Sequence, residues 1–82
     1  MASSGLGDKK VLRLSDAAKA AGVSRQTVEY YVMLGLIDPI HRPGRRRRYF
    51  DEKLVRRIRL IRRLNKSGYT LRDIRETYLR RR

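Results

Sequence analysis

Four residues, Ala21-Gly22-Val23-Ser24, separate two short stretches of helical character, and this junction constrains the fold more than any other part of the chain. Ser15 is the predicted N-cap of an alanine-rich helix before it. That helix is predicted to end at Gly22, because glycine tolerates the left-handed conformation found just past a helix end. Ser24 is a second predicted N-cap, for a helix of about residues 25–34. Two short capped helices joined by such a turn predict a helix-turn-helix.

The next segment has the pattern of a β-hairpin. An extended apolar stretch, residues 36–40, precedes the turn pair Pro43-Gly44, and Arg45–Arg48 then lead into two aromatic residues. This pattern predicts a wing beside the second helix. Because alternate residues of a strand face opposite sides, two of the four arginines are expected to face one surface squarely. Val11–Leu14 is either an edge strand or an apolar segment packed on the core.

A third helix of about residues 52–66 is predicted after the hairpin, with Asp51 as its cap. Its apolar stripe at helical spacing consists of Leu54, Val55, Ile58 and Ile61. Leu60 and Leu64 lie off this stripe as a pair, and we expect them to meet the next helix or a partner chain.

A fourth helix is predicted to start at Thr70, which with Asp73 resembles a capping box. The predicted fold is therefore mostly α: a winged helix-turn-helix with four helices and a short β-hairpin wing. It occupies residues 11–82 and follows a flexible N-terminal tail, residues 1–10.

Charge decides which partners this fold is expected to have. The chain has 22 Lys and Arg against 8 Asp and Glu, a formal net charge of +14 in 82 residues. A folded domain with such a field attracts polyanions, and nucleic acid is the usual partner. The alternative is a basic surface that serves only solubility.

Several other classes of protein are not expected. The chain has no Cys and a single His, His41, so neither a disulfide framework nor a metal site is predicted, and no cofactor is implied. There is no nucleophile–base pair, carboxylate dyad or phosphate loop, so an enzyme is not expected. No apolar run approaches the roughly 20 residues that span a membrane. A cytoplasmic location, on the bacterial nucleoid, is the expectation.

These features, taken in order, resemble those of the MerR family of transcriptional regulators. The matching segments are Leu14-Ser15-Asp16-Ala17-Ala18, Gly22-Val23-Ser24, Thr27-Val28, Tyr30-Tyr31, Gly35-Leu36-Ile37, Arg48-Tyr49, Leu54…Ile58…Ile61-Arg62-Arg63-Leu64 and Gly68-Tyr69-Thr70-Leu71…Ile74. The resemblance implies a winged helix-turn-helix followed by a helix pair. It also implies homodimers on pseudo-palindromic promoter DNA, which such regulators distort so that RNA polymerase can engage.

The chain also departs from the family pattern. Glu29 stands where the family often has Arg, and Val32-Met33 where it often has Glu-Arg. The family's long dimerisation helix and effector domain do not follow within these 82 residues, so metal or drug sensing is not expected of them. Either the chain is an isolated DNA-binding domain, or it is a short member that dimerises in another way.

The second helix is the predicted recognition helix, in the major groove. Arg25 is expected to fork onto guanine and Gln26 onto adenine, with Thr27 beside them. Glu29 has three possible roles: accepting from cytosine N4, pairing with Arg25 four residues earlier, or excluding wrong bases.

The remaining predicted contacts are to the DNA backbone. Tyr30 and Tyr31 could donate to phosphates, although core packing is the main role expected of Tyr31. The wing is expected to grip phosphates or a narrow minor groove, with an unstructured basic loop as the alternative. Its predicted contact residues are Arg42, Arg45, Arg46, Arg47, Arg48 and Tyr49, and Arg56 of the third helix is predicted to touch the flanking backbone.

Two other nucleic-acid functions stay open at this point. An excisionase-like or architectural protein could use a similar winged module to bend DNA. An RNA-binding basic protein is the other alternative, although the aromatic residues do not form the pattern of a stacking platform.

Overall fold

The structure, a computed structural model, describes residues 11–79; the predicted flexible tail, residues 1–10, lies outside the described residues, as do residues 80–82. Four helices and a three-stranded sheet are found in the described part of the chain. The elements are β1 (Leu12–Arg13), α1 (Leu14–Ala21), α2 (Arg25–Met33), β2 (Ile40–His41), β3 (Arg48–Phe50), α3 (Glu52–Lys66) and α4, which is α-helical over Leu71–Asp73 and π-helical over Ile74–Leu79.

The turn between α1 and α2 has the predicted form. Gly22 adopts the left-handed conformation at φ 74°, and the Val23 N–H donates to the Ala18 carbonyl at 3.0 Å. Ser24 caps α2, since its hydroxyl accepts from the Thr27 N–H at 3.1 Å. The predicted helix-turn-helix is confirmed.

The predicted N-cap of α1 is wrong. The helix begins at Leu14, one residue before Ser15, and Arg13 occupies the cap position without a side-chain hydrogen bond. The reason lies in the sheet: Arg13 pairs with Tyr49 as the last residue of β1, so the chain passes directly from the strand into the helix.

The sheet is antiparallel with β3 at its centre, in the order β1-β3-β2. Leu12 pairs with Phe50 on one side of β3, and His41 pairs with Arg48 on the other. Val11–Leu14 therefore supplies an edge strand, which settles the choice left open by the sequence. The hairpin is confirmed, but its strands are short, so residues 45–47 lie in the connecting loop. The expected strand alternation along Arg45–Arg48 is wrong for that reason.

The core lies between α1, α2, α3 and the sheet. Phe50, Ile58, Ile61 and Ile74 are fully buried together with Val28 of α2. Each such side chain contributes about 1.5–3 kcal/mol to folding. The stripe predicted for α3 is confirmed, with Leu54 at its half-buried edge.

The fourth helix starts at the predicted capping box. The Thr70 hydroxyl accepts from the Asp73 N–H at 3.0 Å, and the Asp73 carboxylate accepts from the Thr70 N–H at 3.4 Å. After one α-helical turn the helix continues in π form, with Ile74 anchored in the core. Leu64 packs against the core, whereas Leu60 is 39% exposed. Among residues 11–79, no helix has both the length and the apolar composition to cross a bilayer.

Candidate nucleic-acid interface

Helix α2 has one buried face and one open face. Val28 and Tyr31 point into the core at 0% and 4% exposure. The opposite face carries Gln26, Tyr30 and Met33, all of them exposed. The helix is therefore held to the domain by one side and leaves the other side open to solvent, as the predicted recognition helix requires.

A cationic groove lies between this open face, the start of α1 and the hairpin. We call it the wing groove; its lining residues are Arg13, Leu14, Ser15, Arg25, Glu29, Arg46, Arg47 and Arg48. Five arginines and one glutamate make it strongly electropositive. Four of the predicted binding arginines, Arg25, Arg46, Arg47 and Arg48, are brought together here.

Glu29 has a partner that the sequence did not identify. Its Oε1 accepts a hydrogen bond from Arg48 Nη2 at 3.1 Å, with the two side chains 45% and 32% exposed. The pairing expected with Arg25 is not the bond that forms. Arg48 lies 19 residues away in the chain, and only the folding of β3 beside α2 brings the two groups together.

The wing loop presents its cations to solvent. Arg42, Arg45, Arg46 and Arg47 are all exposed, and Arg42 has its guanidinium over the ring of Tyr49, 5.3 Å from the centroid. This cation–π contact orients Arg42 at the base of the hairpin.

Two of the predicted contact residues lie in the interior. Tyr49 is 9% exposed, because it occupies the central strand and pairs with both neighbours. Tyr31 is also buried, and desolvation raises the pKa of its hydroxyl above the ordinary value of 10.0, an effect that nearby Arg62 partly opposes. Both side chains build the platform under the interface.

The other side of α2 has a shallower groove, which we call the α4 groove. Its lining residues are Tyr30, Leu34, Leu36, Leu71, Arg72 and Arg75. Tyr30, a predicted contact, is thus flanked by two arginines that the sequence did not single out. The spacing of Arg72 and Arg75 along one helical face was available as a signal, but the position of α4 beside α2 was not.

Three other predicted residues are placed as follows. Gln26 is exposed, and Thr27 is half-buried with its hydroxyl 2.9 Å from that of Ser24.

Arg56 lies outside the wing groove. Its Nη1 is 4.0 Å from Oε2 of Glu52 on α3, and it lines a separate recess with Val11, Leu12 and Arg59. Arg13 and Ser15, in contrast, line the wing groove and were missed, because the pairing of β1 with β3 is a long-range contact.

No group of three or more potential metal-ligating side chains is found among the residues that the structure describes.

Comparison with known proteins identifies the family. The model of the MerR HTH family regulatory proteins matches residues 12–80. The chain belongs to the MerR family. The resemblance seen in the sequence is thereby confirmed over residues 12–79 of the described domain.

Individual MerR-family relatives agree with this assignment. The chain is 39% identical over 64 residues to the transcriptional regulator CueR of Bacillus subtilis, covering 78% of this chain and 44% of CueR. It is 34% identical over 62 residues to the mercuric resistance operon regulatory protein of Bacillus cereus, covering 76% and 47%. The chain spans about half the length of the curated relatives it matches.

A solved structure has the same fold. HiNmlR, a MerR-family regulator lacking the sensor domain and bound to promoter DNA, superposes with a TM-score of 0.74 at 27% identity. The match covers 82% of this chain and 51% of HiNmlR. The winged helix-turn-helix prediction is confirmed by this likeness.

Proposed function

We propose that this MerR-family domain binds double-stranded DNA sequence-specifically and acts in transcriptional regulation. The observation that carries the proposal is the open face of α2 with arginine-lined grooves on both sides. The major groove of B-DNA, about 12 Å wide, admits a single helix. A helix seated there places both grooves against the phosphates of the two strands.

In this arrangement α2 reads bases and its flanks hold the backbone. Arg25 and Gln26 lie in the first turn, the part of a recognition helix that meets base edges. The exposed arginines Arg45, Arg46 and Arg47 contact phosphates or enter the minor groove beside the helix. Tyr30, Arg72 and Arg75 contact the backbone on the opposite side.

Two copies are expected on one site. A single module engages one half-site, and linking two modules raises affinity greatly because the second contact becomes intramolecular. HiNmlR, the structural neighbour, is bound to promoter DNA, which favours an operator near a promoter. RNA polymerase would then be the enzyme whose engagement of the promoter the protein affects. The proposal places the protein in the cytoplasm, on the nucleoid, as a binding protein without a catalytic role.

Selection of binding sites from a random duplex pool tests the proposal. The expected result is one enriched motif with two half-sites, separated by about one helical turn or a multiple of it, and a stoichiometry of two chains. Absence of any enriched motif would refute sequence-specific binding. Equal binding of structured RNA and the selected duplex would favour the RNA-binding alternative.

Two variants distinguish residues that recognise bases from residues that contact phosphates, in the same experiment. Arg25→Ala is expected to lose preference at one base pair, by about 1–3 kcal/mol. Arg47→Ala is expected to weaken all duplexes alike, since a phosphate contact carries no sequence information. Equal, sequence-independent losses in both variants would contradict this division.

A further inference from the structure

We propose that Glu29 is a positioning residue for the wing: by holding Arg48, it sets the distance between the recognition helix and the wing arginines, and so determines specificity. The inference rests on the proposed function and extends it. Three features of the structure carry it: the composition of the wing groove, the place of Arg48 in the hairpin and the bond that joins the two residues.

The composition of the wing groove makes Glu29 unusual. Among its eight lining residues, all within the described part of the chain, five are arginines and Glu29 is the one acid. Like charges at this density repel one another, and this repulsion favours separation of the wing loop from α2. A carboxylate on α2 that accepts from an arginine of the hairpin opposes that repulsion directly.

Arg48 is placed where a bond can control the whole loop. It is the first residue of β3 and pairs with His41 of β2, so it lies at the point where the wing loop joins the sheet. The residues that follow it, Tyr49 and Phe50, are fixed in the core. A bond at Arg48 therefore sets the direction in which Arg46 and Arg47 leave the sheet.

The bond also bears on how Glu29 meets DNA. One of its two carboxylate oxygens accepts from Arg48 at 3.1 Å. An unpaired carboxylate on this face would repel phosphates, whereas the charge of a paired carboxylate is offset by the guanidinium of Arg48. Direct reading of cytosine N4 by Glu29 is the competing role, and it makes a different prediction for a variant without Arg48.

Hydrogen exchange on the DNA-free protein tests the bond by itself, with Glu29→Gln, Arg48→Gln and the double variant. Exposed or half-exposed ion pairs are weak, so Glu29→Gln is expected to speed exchange of the hairpin amides by about two- to fivefold. The change should disappear in the Arg48→Gln background, because coupled residues are not additive. The matched control is Glu52→Gln, which removes a carboxylate paired at 4.0 Å with Arg56, away from the wing groove.

Binding to the selected duplex and to a random duplex tests the consequence. Glu29→Gln is expected to lower the ratio of the two affinities by about two- to fivefold, with a loss spread over the site, while Glu52→Gln leaves the ratio unchanged. In the Arg48→Gln background Glu29→Gln should have no further effect on the ratio. A loss confined to one base pair that persists in that background would overturn the proposal in favour of direct base reading.

The two arms also separate this inference from the proposed function. If no duplex is bound specifically, the proposed function fails, and the exchange arm still supports or refutes the bond on the free protein. If specific binding is found but Glu29→Gln matches Glu52→Gln in both arms, the positioning role is refuted while the proposed function stands.

Discussion

The two flanks of α2 are built on different principles. The wing groove is lined by five arginines on three separate segments, and an ion pair joins the helix to the hairpin across it. The α4 groove has two arginines on one helix and is otherwise lined by apolar side chains and Tyr30. The first flank depends on charge at the surface, the second on the packing beneath it.

The two flanks obtain their geometry from different parts of the fold. On the α4 side, Ile74 is fully buried and the capping box at Thr70 fixes the start of the helix. On the wing side the cations lie in a loop that leaves a short sheet, so their position rests on Phe50 below and on the Glu29–Arg48 bond above. The position of the wing cations should therefore be the more sensitive to mutation of the residues that support it.

The largest effect on stability is expected from a change in the core beneath the wing. Phe50→Ala deletes a fully buried ring at the centre of the sheet and is expected to cost about 3–5 kcal/mol in the free energy of unfolding. Urea denaturation measures the loss. Met33→Ala, at a side chain 73% exposed, is the control and should stay within about 0.5 kcal/mol of the parent. A Phe50 loss no larger than the control's would contradict the place of β3 in the core.

The comparison of the flanks is tested by paired arginine deletions. Arg46→Ala with Arg47→Ala removes cations from the wing groove, and Arg72→Ala with Arg75→Ala removes them from the α4 groove. Deleting one arginine that binds a phosphate makes the log–log slope of affinity against salt shallower by about one. The slope should therefore become shallower by about two in each double variant. Fluorescence titration at several salt concentrations gives the slopes. An unchanged slope in the α4 pair would show that duplex DNA is held on one flank alone.

A smaller effect on stability is expected from substitutions of two serines, which lie near the starts of α1 and α2. Ser24→Ala deletes the cap of α2 and is expected to cost about 0.5–2 kcal/mol in stability. Ser15→Ala should cost much less, because Ser15 lies inside α1 and no side-chain bond caps that helix. Thermal melts of the two variants suffice. Equal losses would restore Ser15 as a cap and contradict the start of α1 at Leu14.

The smallest effect concerns the buried side of α2 at alkaline pH. Burial raises the pKa of the Tyr31 hydroxyl above 10.0, so the unfolded chain releases this proton before the folded one does. The stability linked to this proton is complete below pH 10.0 and is lost as pH rises through the folded pKa. Tyr31→Phe should therefore flatten the alkaline fall in stability. The control is Tyr30→Phe, which deletes an exposed hydroxyl from the same helix; an equal effect there would contradict burial as the cause.

Local patterns in the sequence were enough to predict most of the fold. The turn at Gly22, the caps at Ser24 and Asp51 and the apolar stripe of α3 depend on residues within a few positions of one another, and all were found as predicted. The start of α1 was predicted two residues late, with Ser15 as the cap in place of Arg13, because β1 pairs with a strand far along the chain. A shift of that kind has no local signal in the sequence.

The candidate site was predictable in its members more than in its connections. Arg25 and the wing arginines were recognised by charge and position, and the structure brings several of them into one groove. Tyr49 was assigned to the surface because an aromatic residue beside arginines is ambiguous until its strand is known to be central. The Glu29–Arg48 bond and the approach of Arg72 to Tyr30 depend on packing between elements, so no pattern in the sequence indicated them.

The salt dependence of duplex binding measures whether the arginines on both sides of α2 hold the DNA backbone. If α2 lies in the major groove with arginines holding both strands, roughly six phosphates are neutralised, and affinity should fall with salt with a log–log slope near about −5. The measurement needs only the parent protein and the selected duplex. A slope near zero would mean that the arginines around α2 do not contact the backbone, and α2 would then not lie in the major groove as proposed.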